Sequence, residues 1–330
     1  MIARLRTPIA ARALLLAASF TAQSQTQPKP KSPALPRTPD GHPDLQGTWT
    51  NATLTPLERR AEFAGKSTLS DEEALAFEKR DHRLFEERPG LSPAALARIK
   101  EGNAIGAEES EAWELGSELA RVNGLKRTSL IVDPPDGKIP SLTPEAKQRT
   151  AAGSKNRERP ASVKDFDLGE RCMSYSPVPI LPQAYNGNYQ IVQTSGYVMI
   201  LSEMIHEVRI IRMNASHAPP SVRQWLGDSV GHWEGDTLMI DTTNFNSQYA
   251  FRGSTENLHV IERLSRSDAG TLLYRATIDD PGHVHQTVDH RISLGRHHRP
   301  DLRVRLPRRK LLGGGRPQCR AESGRSGGAK

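Results

Sequence analysis

From Tyr189 onward the chain is written in short period-two segments separated by turn residues, and this alternation limits the possible folds more than any other feature. Residues 189–194, 197–205, 208–213, 222–226, 230–234, 238–243, 258–265 and 271–278 read as strands, with Ser195-Gly196, Gly235-Asp236 and Asp268-Ala269-Gly270 as turns. Eight short strands at this spacing predict an antiparallel β-barrel or β-sandwich over residues 166–281, lipocalin-like in its barrel form. The sheet is expected to hold the core.

Residues 44–165 read differently, as a helical region with one hairpin, which makes the class α+β. Ser70 followed by Asp71, Glu72 and Glu73 is a capping-box start for a helix ending before Pro89-Gly90. Residues 91–122 form a second, Ala- and Glu-rich helical tract, and Thr143-Pro144-Glu145 opens a third helix. Between them, residues 128–132 and 138–142 are expected to pair across Asp133-Pro134-Pro135-Asp136-Gly137. Trp49, in the β-prone run 44–50, is the aromatic anchor of the region.

Arg4, Arg6 and Arg12 precede an apolar stretch over 13–22 and a polar run over 23–27, the order of a secretory signal, so residues 1–22 are expected to be a signal peptide. Residues 23–43 carry six prolines and read as an extended tether. A periplasmic or secreted location follows from the signal. No apolar run reaches the roughly 18 residues of a membrane span, so no transmembrane segment is expected.

The formal charge of +7 invites a nucleic-acid reading, but it belongs to the ends. Residues 281–330 hold twelve Lys and Arg against three Asp and Glu, whereas residues 1–280 hold 33 against 35. A mildly acidic folded middle argues against a nucleic-acid partner. Two cysteines, Cys172 and Cys319, exclude a disulfide-dense scaffold and a four-cysteine zinc site, and a free thiol at Cys172 would be unusual in an exported protein.

No phosphate loop, dinucleotide fingerprint, zincin helix or nucleophile elbow occurs, so the common enzyme signatures are missing and enzymatic activity stays open. Two constellations remain. Tyr189, Arg223, Trp225 and Trp233 could line a ligand site in a barrel lumen just wide enough for one small molecule, against simple core packing of the aromatics. His206 and His232 could share a divalent metal, or act as general bases, with Glu203 and Glu207, against strand-face ion pairs and a turn-capping histidine. No cofactor is specified. The reading with most support is an exported binding or interaction module for a small molecule or envelope partner, the competing one an envelope hydrolase or metalloenzyme on the His/Glu set.

The runs RCMSYSPVPILPQAYNGNYQIVQT, EMIHEVRII, APPSVRQWLGDSVGHWEGDTLMIDTTNF and RGSTENLHVIERLSR resemble a family of exported bacterial proteins, mostly hypothetical, common in Acidobacteria and Proteobacteria. The resemblance covers about residues 40–281 and implies export and a shared fold without an activity. Members continue past Asp-Asp-Pro with an aromatic segment ending in a run like IYEYACHEGNY, whereas all seventeen aromatic residues here lie at or before Tyr274. Residues 302–311 can return that run when permitted codons are read one base over. The resemblance therefore implies a frameshift after Pro281, with the loss of a cysteine able to pair with Cys172, and residues 282–330 are expected to be a basic, disordered tail.

Overall fold

The computed structural model describes residues 35–86, 118–166, 168–175, 177–182, 187–248 and 251–296. The first half contributes β1 (Gly47–Thr50), β2 (Thr68–Leu69), β3 (Arg121–Val122), β4 (Leu125–Arg127) and β5 (Ile131–Asp133). The second half contributes β6 (Asn188–Gln193), β7 (Tyr197–Ser202), β8 (Val208–Met213), β9 (Asp228–Glu234) and β10 (Thr237–Thr243). It ends with β11 (His259–Arg266), β12 (Thr271–Asp279) and β13 (Val288–Arg296).

Strands β6 to β13 follow one another around a barrel, and β1 closes it by pairing with β6 on one side and β13 on the other. The expected barrel is present, with nine strands and a mixed sheet: β8 and β9 run parallel, with Ile211 opposite Ser229. The cause is the connection over 214–227, which crosses back to the start of β9 where a hairpin would have reversed the chain. Its residues 222–226, read as a strand, make only a bridge between Gln224 and Phe245.

The helical reading of the first half is not supported. Among the described residues there are two α-helices, α1 (Asp71–Glu86) and α2 (Pro144–Glu158), and neither is long and apolar enough to cross a membrane. Helix α1 does open on the predicted capping box, with Ser70 N–H donating to Glu73 at 2.9 Å and Glu73 N–H to the Ser70 hydroxyl at 3.2 Å. Helix α2 starts where the Thr143 hydroxyl accepts from Ala146 N–H at 3.1 Å. The tract expected to be helical over 91–122 lies mainly outside the described residues, and its end, Arg121–Val122, is strand β3. The expected signal peptide, residues 1–22, and most of the expected tether also fall outside them. The predicted hairpin over 128–142 does not form, because β5 pairs with β13 instead.

The barrel core is filled from both halves. Trp49, Tyr189, Ile191, Val198, Ile200 and Ile211 meet Leu238, Ile240, Val260, Leu264, Leu272 and Tyr274, and all are buried. The Trp49 indole N–H donates to Leu45 C=O at 3.0 Å, which satisfies its one polar atom.

The expectation of a disordered tail from residue 282 is overturned for residues 282–296. Strand β13 pairs with β12 over eight residue pairs, from Thr271 opposite Gly295 to Ile278 opposite Val288. Val288, His290, Ile292 and Leu294 alternate inward and are buried. This alternation was hidden because one of its four inward residues is a histidine and none is aromatic. Residues 297–330 lie outside the described ones. Cys172 is disulfide-bonded, and Cys319, the only other cysteine in the chain, is outside the described residues.

Candidate functional site

The residues proposed for a lumenal ligand are dispersed. Tyr189 is buried in the core, and burial raises its phenol well above its ordinary value against the pull of Asn51 and Ser202. Trp233 packs at the core margin and stacks on His42, with ring centres 4.6 Å apart. Trp225 lies on the crossing connection, 36% exposed, and Arg223 beside it donates to Phe245 C=O at 3.1 Å and Glu256 C=O at 2.7 Å.

The chain itself occupies part of the lumen where a ligand was expected. The segment 177–182 enters the barrel, burying Val178 and Ile180. Ile180 N–H donates to the Tyr274 hydroxyl at 2.9 Å, and the buried His290 Nε2 meets Ile180 C=O at 3.0 Å. Tyr274 donates in turn to Glu262 at 2.8 Å, and Glu262 receives the Arg209 guanidinium through both of its oxygens. Arg209 Nε reaches Ser229 at 3.1 Å, whose hydroxyl lies 3.0 Å from that of Thr242. Burial, then the Glu262 charge, raises Tyr274 well above its ordinary value, and burial lowers His290 toward the neutral imidazole.

The metal set does not assemble either. Among the described residues no three His, Cys, Asp or Glu side chains converge on a metal position. His206 is exposed at the β7–β8 turn in left-handed backbone, φ 46°, while His232 sits on β9 beside Glu234 at 3.2 Å. Glu203 accepts from Asn188 Nδ2 at 2.8 Å and Glu207 from Tyr175 N–H at 3.1 Å. Burial raises the Glu207 carboxyl, opposed by the Ser174 hydroxyl and the Tyr175 N–H. These glutamates fasten the turn and the segment entering the barrel.

A site the sequence did not single out lies where the small sheet β2–β4–β3 meets the β5–β13–β12 side of the barrel. It is a cleft of about 810 Å³. Six cationic side chains, Arg59, Arg60, Arg127, Lys138, Arg275 and Arg291, line it against three acids, Asp133, Asp136 and Asp289.

Local structure dictates how each arginine arrives. On β4 successive side chains face opposite ways. Lys126 is buried toward α1, at 2.9 Å from Glu78 and 2.8 Å from Glu118, which turns Arg127 to the cleft. Arg59 is fixed by Nη1 on Pro135 C=O at 2.8 Å and Nε on the Thr128 hydroxyl at 3.3 Å. Arg60 is committed to Asp81, at 2.8 and 2.6 Å. Arg275 and Arg291 share Asp289, at 2.8 and 3.3 Å, beside the register shift that β13 makes against β5 at Asp289/His290.

Arg127 is the exception in this set. Among the described residues its guanidinium has no hydrogen bond or ion pair, and its Nε is buried without a partner, as is that of Arg291. Burial first, then the charges of Arg291 and Arg59, hold Arg127 below its ordinary pKa, though a guanidinium stays charged regardless. Three neighbouring arginines with unused donors present a geometry suited to oxygen anions, since the planar fork pairs with carboxylate or phosphate oxygens two at a time.

Family models, curated proteins and solved structures give no match to this chain. The arginines are far apart in sequence, on β4, β12, β13 and the loop before residues 61–63, so no local motif announces them. Arg127 ends β4, Arg275 and Arg291 lie within β12 and β13, and Arg59 sits on a loop, so only the topology brings them together.

Proposed function

We propose that this protein is an exported binding module for a small anionic molecule, with the cleft between the β2–β4–β3 sheet and the barrel as its site. The observation that carries the reading is Arg127: a partly buried guanidinium without a partner among the described residues, set against two more arginines, lowers the stability of the empty protein and is relieved by an anion. Export rests on the Arg–apolar–polar order of the N-terminus, and a disulfide-bonded Cys172 agrees with an oxidising compartment. The metalloenzyme alternative is less favoured because no three His, Cys, Asp or Glu side chains converge among the described residues.

The test is a thermal-shift screen of the mature chain against neutral, cationic and anionic small molecules. Anions should raise the melting temperature, and Arg127→Gln or Ala64→Trp, which fills the cleft from an exposed position, should abolish the rise. Stabilisation by anions that survives both substitutions would place the site elsewhere. For export, intact-mass measurement from the native host should find a chain starting between Phe20 and Gln27; a main species retaining Met1 would refute it.

A further inference from the structure

The positive charge of the cleft continues across the barrel surface. The register of β11, β12 and β13 places Arg263 directly opposite Arg275, and Arg275 directly opposite Arg291, so three arginines stand in one row on the outer face. Neighbouring strands lie about 4.8 Å apart, which makes the row about 10 Å long. Like charges directly opposite one another destabilise a sheet. Asp289 offsets the Arg275–Arg291 end alone, and the Arg263 side chain has no hydrogen bond or ion pair among the described residues. Arg275 and Arg291 also line the cleft, so the row and the Arg127 site are continuous.

A single small anion seated at Arg127 leaves Arg263 and its repulsion of Arg275 unrelieved. We propose that the ligand is an elongated small molecule with two or more oxyanion groups, phosphoryl or carboxyl, one held among Arg59, Arg127 and Arg291 and another along Arg263 and Arg275. This rests on the cleft being the binding site. Apolar lining from Ala61, Ala64, Val132 and Pro135 gives the ligand's uncharged framework a surface to lie on.

Titration calorimetry of the mature chain at about 0.15 M salt, where exposed charges are screened beyond about 8 Å, tests it with orthophosphate, tripolyphosphate, acetate and citrate. Tripolyphosphate or citrate should bind at least about tenfold more tightly than its single-anion counterpart, a difference of about 1.4 kcal/mol. Comparing the two pairs separates phosphoryl from carboxyl ligands. Arg127→Gln should weaken every probe that binds, whereas Arg263→Gln should weaken the multiply charged one about tenfold and its counterpart far less.

Equal affinity for single and multiple anions, or a multiply charged probe indifferent to Arg263→Gln, overturns the proposal while leaving the cleft as the site. Binding of tripolyphosphate that survives Ala64→Trp and Arg127→Gln overturns the cleft reading itself. No binding by any of the four probes overturns the elongated-anion proposal, and the broader thermal-shift screen then decides the cleft. A single-stranded oligonucleotide bound ten times more tightly than tripolyphosphate overturns the small-molecule class in favour of nucleic acid.

Discussion

The Tyr274 hydroxyl and the Glu262 carboxylate meet at 2.8 Å inside the barrel, on neighbouring strands, with Glu262 wholly shielded from solvent. The carboxylate is tolerated there because Arg209 occupies both of its oxygens and Tyr274 adds a further donor. The same tyrosine oxygen accepts from Ile180, so one network joins β8, β11 and β12 to the segment that enters the lumen.

Removing one member of that network should be far worse than removing the charged pair together. Glu262→Leu leaves Arg209 buried without its anion and should cost about 3–5 kcal/mol, while the double change Arg209→Met with Glu262→Leu should recover much of the loss. Urea denaturation of the three variants checks this. Equal destabilisation by the single and double variants would mean that packing, and not the uncompensated charge, sets the cost.

Strand β13 gives a second prediction. Ile292 and Leu294 are fully buried in the core, so Ile292→Ala and Leu294→Ala should each destabilise by about 2–5 kcal/mol. Were residues 282–296 a disordered frameshift product, both changes would leave the unfolding midpoint unmoved. Deletion from residue 282 should likewise open a barrel edge and promote aggregation.

The barrel was legible because strand alternation is local, and residues 189–278 carry it plainly in aliphatic and aromatic side chains. Strand β13 was missed where His290 occupies an inward position, since a buried histidine whose Nε2 meets Ile180 C=O looks like surface in a sequence. The closing strand β1 was recognised only as a β-prone run around Trp49, because pairing with two distant strands leaves no local trace. The cleft was illegible for the same reason. Arg127 looks like any solvated strand-end arginine until Lys126 is seen committed to Glu78 on the opposite face.

A pH effect follows from Asp241, which lies 2.9 Å from His259 Nε2 and 3.3 Å from His217 Nε2. Its hydrogen bond to His259 raises that histidine above its ordinary 6.5 and lowers Asp241 below its ordinary 3.8. The histidine contribution is complete below pH 6.5 and is lost as pH rises through the raised value; the aspartate contribution is complete above 3.8 and is lost on acidification through the lowered one. Stability from the pair therefore peaks between about pH 4 and 6.5. His283 and His290, held low by burial, act in the opposite sense, so the informative quantity is the difference between wild type and Asp241→Asn. That difference in melting temperature should shrink from pH 6 to pH 8, modestly because both groups are more than a third exposed or close to it. A constant difference across the range would show that the pair is not titrating.

The last prediction concerns how Arg59 is aimed. Gly137 adopts φ +71°, and a Cβ there would come within 2.6 Å of the Ser129 hydroxyl and 3.0 Å of both Cβ and Cζ of Arg59. Gly137→Ala therefore adds left-handed strain of about 1–2 kcal/mol and also pushes the arginine from its bonds to Pro135 and Thr128. Gly41 has a similar φ of +86° with nothing within 4 Å of the added carbon, so Gly41→Ala carries the strain without the displacement. Gly137→Ala should therefore lose more stability than Gly41→Ala in thermal melts, and only Gly137→Ala should weaken anion binding by calorimetry, by about tenfold for one charge-assisted contact. If the two variants bind alike, Arg59 is a structural brace for residues 135–137 and the anion rests on Arg127 and Arg291 without it.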